Sequence, residues 1–473
     1  MFSKLIRTLA LAALLPASSL AATVVVWNGD PAGVGFNDPT PAVPVGGNPG
    51  TTVGQQALNV FQRAADIWGG RLQSKQTINI IAFFTPLSCT ATSGVLGAAG
   101  ANWFFRDVEP ANGAKGMVPG TWHHAALAEK LTNVDLTTQA DPSDFFEIFS
   151  LFNSELGKPG CLTGRGWYYG LDNNEPAVNI DLLSVVLHEF GHGLGFSLGT
   201  TSSSSGARPQ GFPSVWERYM YDVTARKTWL EMGSNSERAA SARNDGNLVW
   251  IGQKARNVLP SVLDREVQLT TIRPSGIPTV TTWPATFGAP ALQAPGRVFG
   301  SNLLAPNDGG GASPRDGCEA FPNPNALAGR VLLVERGNCA FLVKAANAQA
   351  AGAAGLLISN DRPGIFSPSG TDAAITIPVY GISQAAGAQL RAAAGAGSVY
   401  VELSADPNVR AGTTAGFPRL YAPLTFAQGS SVSHWDISAS PSLLMEPFNT
   451  ANITSSVKNP EDLSRALLVD IGW

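Results

Sequence analysis

The stretch DLLSVVLHEFGHGLG, residues 181–195, decides the fold of the region around it. Apolar residues dominate this stretch, which predicts a helix buried in a core. The helix is expected to run from about Asp181 to Gly193. Asn179 or Asp181 is the expected N-cap, because a short polar side chain there accepts hydrogen bonds from the free amides of the first turn.

Two histidines and a glutamate lie in the second half of this apolar helix. His188 and His192 are four positions apart, so their imidazoles lie one turn apart on the same face and can reach one metal ion. Zinc is commonly bound by imidazole, and Glu189 is placed to act as general base on water that the metal activates. The alternative is a pair of surface histidines beside a solvated carboxylate, which the apolar surroundings disfavour.

A catalytic zinc site needs a third protein ligand and an open position. Gly195 extends the motif to His-Glu-x-x-His-x-x-Gly, in which a glycine turns the chain so that a histidine three residues later can reach the metal. That position is Leu198 here, so the short pattern fails. His434 is the candidate further along the chain, and it precedes Met445 in the sequence Leu-Met-Glu-Pro.

Other residues compete for the metal. Glu217 and Asp222 follow the motif and are rival third ligands, since some zinc peptidases take an acidic ligand from a later helix. His123 and His124 are adjacent, so on a helix they would point about 100° apart and not share a metal easily. We interpret them as packing or surface residues. The acidic turn 172–175 could suggest calcium, but it lacks the spacing of a calcium-binding loop.

The sequence resembles the leishmanolysin-type metzincins in four features. These are Gly195, a histidine far along the chain at His434, its His-Trp-Asp triplet, and the Leu-Met-x-Pro turn. In that family an insertion separates the glycine from the third histidine. The resemblance implies that His434 is the third zinc ligand, and that Met445 forms the Met-turn beneath the ligand histidines. It also implies a zinc-dependent endopeptidase.

The insertion has a resemblance of its own. Residues 329–341 (GRVLLVERGNCAF) and 344–358 (KAANAQAAGAAGLLI) are similar to the protease-associated (PA) domain, over about residues 290–405. A strand at 330–335, a helix at 340–351 and a strand at 355–359 predict a β-α-β unit there. PA domains accompany secreted peptidases and are thought to shape substrate access or partner binding.

The N-terminus predicts export. Residues 1–22 have a positive start, a short apolar run and small residues, as in a secretory signal peptide cleaved after Ala21 or Ala22. A membrane anchor is the alternative, but the run is shorter than the ~20 residues needed to span a bilayer. We therefore expect a secreted protein, extracellular or periplasmic.

Export places the four cysteines in an oxidising compartment. Three pairings are possible, and the sequence-local one is Cys89–Cys161 with Cys318–Cys339. Cys318 and Cys339 also fit the disulfide of many PA domains. A cysteine metal site lacks any Cys-x-x-Cys spacing.

Hydrophobic periodicity and turn residues predict the remaining elements. We expect helices at 55–72, 122–132 and 214–224, strands at 77–84, 101–107, 145–152 and 167–169, a loop at 200–213 and a linker at 273–298.

The whole chain has 473 residues, 14% of them charged, and a net charge of −4, which gives no reason to expect nucleic acid as a partner. We predict an α+β fold: a metzincin-like catalytic domain at 23–290 and 405–473, interrupted by a small α/β PA domain at 291–404. The predicted function is a secreted zinc endopeptidase acting on proteins or peptides. The alternatives are a zinc amidohydrolase acting on non-peptide amides and an inactive binding protein that uses its PA domain.

Overall fold

The computed structural model describes residues 21–176, 178–199, 204–289, 298–450 and 453–473. The predicted signal peptide therefore lies outside the described residues, apart from its last two positions. Among the described residues, no helix combines the length and the apolar character needed to cross a membrane. The described chain is a mixed α and β protein with two β-sheet units.

The helices and strands are numbered in chain order. The α-helices are α1 (Val53–Gly69), α2 (Ala125–Thr132), α3 (Leu136–Ala140), α4 (Leu182–Gly193), α5 (Asn235–Ser241), α6 (Gln253–Val262), α7 (Pro324–Leu327), α8 (Phe341–Ala350), α9 (Gln384–Ala396) and α10 (Ser464–Ile471). The strands are β1 (Val24–Asn28), β2 (Ile78–Thr85), β3 (Gly97–Ala101), β4 (Phe104–Phe105), β5 (His123–His124), β6 (Ile148–Asn153), β7 (Trp167–Tyr168), β8 (Ile180–Asp181), β9 (Met220–Asp222), β10 (Lys227–Thr228), β11 (Leu248–Trp250), β12 (Arg265–Arg273), β13 (Val280–Thr281), β14 (Trp283–Pro284), β15 (Val298–Leu304), β16 (Val331–Glu335), β17 (Gly355–Ser359), β18 (Val379–Ile382), β19 (Val399–Arg410), β20 (Thr413–Thr414) and β21 (Phe417–Pro418).

The first unit is built on a four-stranded sheet in the order β1-β2-β6-β3. The first three strands are parallel, and β3 runs antiparallel to β6 at the edge. Phe61 of α1 packs against Phe84, Phe152 and Phe190, with ring centroids 4.6–5.9 Å apart. These rings come from β2, β6 and α4, so one apolar core holds both helices against the sheet.

Helix α4 forms as the sequence predicts. Asp181 is its N-cap and accepts a hydrogen bond from the Ser184 amide at 2.8 Å. The helix approaches β6 so closely that a Cβ on Gly193 would lie 2.3 Å from a methyl carbon of Ile148. A glycine at this position is what allows the helix to pack tightly on the sheet.

The prediction of a helix at 214–224 is wrong. Trp216–Arg218 forms one 3₁₀ turn, and strand β9 follows directly. Strand β9 pairs on both sides, with β10 and with β11, so a sheet rather than a helix satisfies its backbone hydrogen bonds. Local periodicity cannot reveal such pairing with later parts of the chain.

The second unit is an eight-stranded sheet in the order β13-β12-β19-β15-β16-β17-β18-β14. Strands β15 to β18 are parallel neighbours, and the predicted β-α-β unit is present as β16, α8 and β17. Alternate residues of β16 face opposite sides. Leu332 and Val334 share a core with α8, whereas Val331 and Leu333 share one with α9.

This sheet extends beyond the predicted limits of 291–404. Strand β12 precedes those limits, and β19 continues past them to Arg410. The linker prediction for 273–298 is also wrong for β13 and β14, which pair at opposite ends of the sheet. Antiparallel pairing of β12 with β19 explains the wider limits, because the two strands bring the ends of the insertion together.

Both disulfides predicted from the sequence are formed, Cys89–Cys161 and Cys318–Cys339. The first joins the segment after β2 to the segment after β6. The second lies within the eight-stranded unit, between the segment before β16 and the start of α8. Each disulfide therefore cross-links segments of a single unit.

Candidate metal centre

The three histidines singled out in the sequence lie together. The Nε2 atom of His188 is 3.0 Å from that of His192 and 3.2 Å from that of His434. The remaining pair, His192 and His434, is 3.1 Å apart. Helix α4 supplies the first two rings, and the loop after residue 430 supplies the third. These residues form one of two groups of potential metal ligands among the described residues.

Hydrogen bonds fix the orientation of all three rings. The Nδ1 atoms of His188, His192 and His434 contact the carbonyl oxygens of Leu444, Phe196 and Ser430 at 2.7–2.8 Å. A carbonyl can only accept, so each Nδ1 carries the proton and each Nε2 presents a lone pair to the centre.

Burial lowers the pKa values of His188 and His192 to about 4 and about 3, and that of His434 well below its usual value. The rings are therefore neutral, the form that binds metal. Three lone pairs so close repel one another unless a cation lies between them. Zn–N bonds of ~2.0–2.1 Å with tetrahedral angles give N–N distances of about 3.3 Å, close to those observed. The three imidazoles therefore make up a group that could hold Zn²⁺.

Met445 packs against helix α4 at Gly191, which lies between the two helical histidines in the sequence. It is fully buried, and a Cβ on Gly191 of α4 would lie 2.8 Å from its Sδ atom. The Met445 carbonyl accepts from the amide of Trp435, the neighbour of His434, at 2.8 Å. The turn therefore contacts the helix and the third-histidine loop at once.

Two buried carboxylates hold this turn. Asp462 accepts from the Leu444 amide at 2.7 Å, and Glu446 accepts from the Leu443 amide at 2.8 Å. Because the Leu444 carbonyl in turn accepts a hydrogen bond from His188 Nδ1, Asp462 is connected to the metal site through the backbone of one residue. Sequence reasoning missed both carboxylates, since no local motif marks them.

Gly195 turns the chain after α4. Its φ of +119° lies in the left-handed region, and a Cβ there would be 2.9 Å from Ile471. The turn brings the Phe196 carbonyl back to His192. Leu198, at the position of the missing third histidine, is buried, and its amide donates to Ser433 at 3.1 Å. The segment thus contacts the loop that carries His434.

Glu189 lies on the cleft side of α4 and is 7% exposed. Its carboxylate accepts from the Ala99 amide of β3, while burial raises its pKa to about 8. A divalent cation beside it would lower that pKa, because an opposite charge favours the ionised form. A Cβ on Gly97 would lie 2.9 Å from Glu189, so this glycine makes room for the carboxylate.

The rival ligands lie elsewhere. Glu217 is buried in an ion pair with Arg208, at 2.6 Å, and Asp222 accepts two bonds from Asn244. His123 and His124 are fully buried packing residues, and His124 contacts the hydroxyl of Ser197 rather than the centre.

Two further acidic positions have local roles. Asp436, the last residue of the His-Trp-Asp triplet, accepts from the Ser438 amide at 3.0 Å and so caps its own turn. Asp172, in the acidic turn, accepts from the hydroxyl of Tyr168 at 2.7 Å.

The metal centre opens into a cleft of about 740 Å³. Strand β3, α4 and the segment after Met445 line it. A second cleft of about 700 Å³ lies between the eight-stranded unit and residues 437–450, and it shares Glu446, Phe448 and Asn449 with the first. The insertion thus borders the approach to the centre.

Comparison with known proteins identifies the insertion. Residues 301–390 match the family model of the PA domain. The chain contains a PA domain. The match lies inside the eight-stranded unit, from β15 to the middle of α9.

Similar proteins share short segments with this chain. Signal peptide peptidase-like 2 of Arabidopsis thaliana is 48% identical over 84 residues, 17% of this chain and 15% of that protein. An aminopeptidase of Pseudomonas aeruginosa is 47% identical over 62 residues, 12% of each chain. The chain spans less than a quarter of the length of such curated relatives. Among solved structures, the zinc aminopeptidase BSAP of Bacillus subtilis is 22% identical, with a TM-score of 0.22, over 33% of this chain and 37% of that one.

Proposed function

We propose that this chain is a secreted zinc-dependent endopeptidase of the metzincin type, with the PA domain inserted into its catalytic domain. The observation that carries the proposal is the convergence of three neutral imidazoles on one point, with the Glu189 carboxylate beside them in an open cleft. Catalytic zinc sites have this composition of three protein ligands and one open position.

Each residue has a distinct part in the proposed reaction. His188, His192 and His434 hold the metal through Nε2. Zinc bound there supplies a Lewis acid that polarises the scissile carbonyl and acidifies water. Glu189 takes the proton from the attacking water and passes it to the leaving amine. The Met445 turn keeps His188 oriented through the Leu444 carbonyl.

The edge strand β3 supports a polypeptide substrate. The Ala99 amide points toward Glu189, away from β6, so Gly97 and Ala101 direct their backbone groups to the same side. Among the described residues no strand pairs with this edge. An extended peptide can therefore add to the sheet there and place a central peptide bond over the metal.

The test compares zinc content with proteolysis. Purified chain should contain one zinc per molecule, digest casein-like proteins and lose that activity with chelator. Glu189→Ala should keep the zinc and lose proteolysis. Glu109→Ala, which removes an exposed carboxylate, is the matched control and should change neither property. Full activity of Glu189→Ala would refute the role of this residue.

Substrate choice separates the alternatives. An amidohydrolase would leave casein intact and cleave small amides, and an inactive binding protein would be zinc-free. An aminopeptidase, the activity named for several similar proteins, needs a free N-terminus. N-acetylated peptides cleaved at internal bonds would therefore favour the endopeptidase proposal.

A further inference from the structure

The PA domain contains the second group of potential metal ligands, which consists of acidic side chains and is separate in the sequence from the histidines. Asp308, Asp316 and Glu319 belong to the segment between β15 and α7. Each of them offers a carboxylate oxygen, and these three atoms lie within 4.8 Å of one another. Nothing in the proposed peptidase reaction uses them.

One carboxylate of this group lacks the partners that burial demands. Asp308 is only 4% exposed, and its Oδ1 atom has no hydrogen-bond partner. Its Oδ2 atom has one long contact, 3.5 Å from the Glu319 amide. Glu319 also has a buried oxygen without a partner, Oε2. A buried carboxylate oxygen without a donor or cation is strongly unfavourable.

Asp316, by contrast, is held in place as an anion. One of its oxygens accepts from the Cys318 amide at 3.0 Å and the other from the Asn338 side chain at 2.6 Å. These donors keep its pKa low despite partial desolvation. Partial burial, and then the charges of Asp308 and Asp316, raise the pKa of Glu319.

The buried cation nearby does not neutralise the group. Lys344 directs its ammonium to the carbonyls of Asp316 and Gly337, at 2.7 and 2.8 Å, and to Cys318 Sγ at 3.4 Å. These contacts use its three donors, and it forms no ion pair with a carboxylate among the described residues. Three carboxylates and one ammonium leave two negative charges.

We propose that Asp308, Asp316 and Glu319 bind a calcium ion. Calcium prefers oxygen ligands at ~2.3–2.6 Å, so two ligands of one ion lie at most about 5 Å apart, as these three do. Histidine is absent from the group, and Cys318 and Cys339 are joined to each other, which disfavours zinc. Gly311 has φ +68°, and a Cβ there would lie 2.5 Å from Glu319 Oε1, so a larger residue would strain the backbone and displace this carboxylate.

Calcium would stabilise one part of the PA domain. The group lies next to the Cys318–Cys339 disulfide and the start of α8, and the segment that carries it contains several glycines. A bound ion would hold this segment against β16, since the Glu335 amide donates to the Arg315 carbonyl beside Asp316. The expected effect is on stability of the PA domain, not on the peptidase reaction.

The test is a calcium titration of the zinc-loaded full chain, followed by calorimetry and thermal unfolding. We expect one calcium per chain, with a Kd of about 10⁻⁴–10⁻³ M as in extracellular modules, and a rise in melting temperature. Asp308→Asn should weaken calcium binding at least tenfold. Glu402→Gln, an acidic residue of β19 outside the group, is the control and should bind calcium as the unaltered chain does.

Three outcomes would overturn the proposal. The first is no binding by the unaltered chain at about 10 mM calcium, which is tenfold the largest Kd expected. The second is unchanged calcium binding by Asp308→Asn, and the third is equally weakened calcium binding by Glu402→Gln. Glu319→Gln replaces Asp308→Asn if that variant does not fold. Zinc content and casein digestion are measured on the same samples, so failure of the peptidase proposal is distinguishable from failure of this one.

Discussion

Replacement of Gly191 by alanine tests whether the contact between α4 and Met445 matters to the metal site. The added Cβ would lie 2.8 Å from Met445 Sδ and 3.5 Å from the Trp68 ring. Ordinary contacts are about 3.8 Å, so Met445 or the helix must move by about 1 Å. Overpacking of this kind costs about 1–3 kcal/mol, and the better helix propensity of alanine returns about 1. We expect a net loss of up to about 2 kcal/mol.

The movement caused by Gly191→Ala should also weaken zinc binding. Movement of Met445 displaces the neighbouring Leu444 carbonyl, which fixes the proton of His188. Loss of such an orienting bond typically weakens metal binding 10- to 100-fold. Denaturant unfolding measures the stability, and competition with a chromogenic chelator measures the zinc affinity.

Gly395→Ala is the matched control, because that helical glycine of α9 has no atom within 4 Å of its added Cβ. It should gain up to about 1 kcal/mol from helix propensity alone. The reasoning is refuted if Gly191→Ala is stabilised to the same extent and binds zinc as before.

Three other predictions concern the site, the insertion and pH. His434→Ala should lose zinc at chelator concentrations that leave Glu217→Gln loaded; the reverse result would move the third ligand. Deletion of residues 265–410 should leave a folded chain that still cleaves short peptides, because the Ala411 amide donates to the Asp264 carbonyl at 3.0 Å and the two ends are already adjacent. Removal of 292–403 alone should lower solubility, because the second half of β12, from Leu269 to Arg273, loses its partners on β19; equal behaviour of the two deletions would contradict this. Burial raises the pKa values of the neighbouring Glu129 and Glu147 carboxyls in the folded protein. Their contribution to the free energy of unfolding is therefore full below about pH 4.5, and it is lost as the pH rises through these raised pKa values. The loss is up to about 1.4 kcal/mol per pH unit for each proton released. Glu129→Gln should flatten that decline in unfolding experiments between pH 5 and pH 9; an unchanged slope would exclude the pair as its cause.

Sequence reasoning succeeded where the signal is local. Helix α4 carries its hydrophobic period, its N-cap and two of the three candidate ligands within 15 residues, and the β-α-β unit of the PA domain is also formed by a short stretch of sequence. His434 was one of several candidate third ligands, and only the resemblance favoured it, because no local pattern connects it to a helix residue 242 positions earlier. Its Nε2 position depends on the Ser430 carbonyl and the Met445 turn.

The wrong predictions of a helix at 214–224 and a linker at 273–298 have one cause, which is pairing with strands that are distant in the sequence. Residues 220–222 and 280–284 have no strong period of their own, and they become strands because partners elsewhere in the chain accept them. The roles of Asp462 and Glu446 were not predicted for a similar reason, since a buried carboxylate that accepts from backbone amides has no characteristic spacing in the sequence.

The closeness of Asp264 and Ala411 has a consequence for how the chain assembles its centre. His434 follows Gly195 by 239 positions, but a folded PA sheet brings together the two ends of the 146 residues from 265 to 410. The loop that must still be closed is about 93 residues long, which lowers the entropic free-energy cost of closing it by about 0.8 kcal/mol. If the PA sheet folds early, it would keep this loop short, and the three histidines would come together only after the chain beyond residue 411 has been synthesised and has packed against the rest of the first unit.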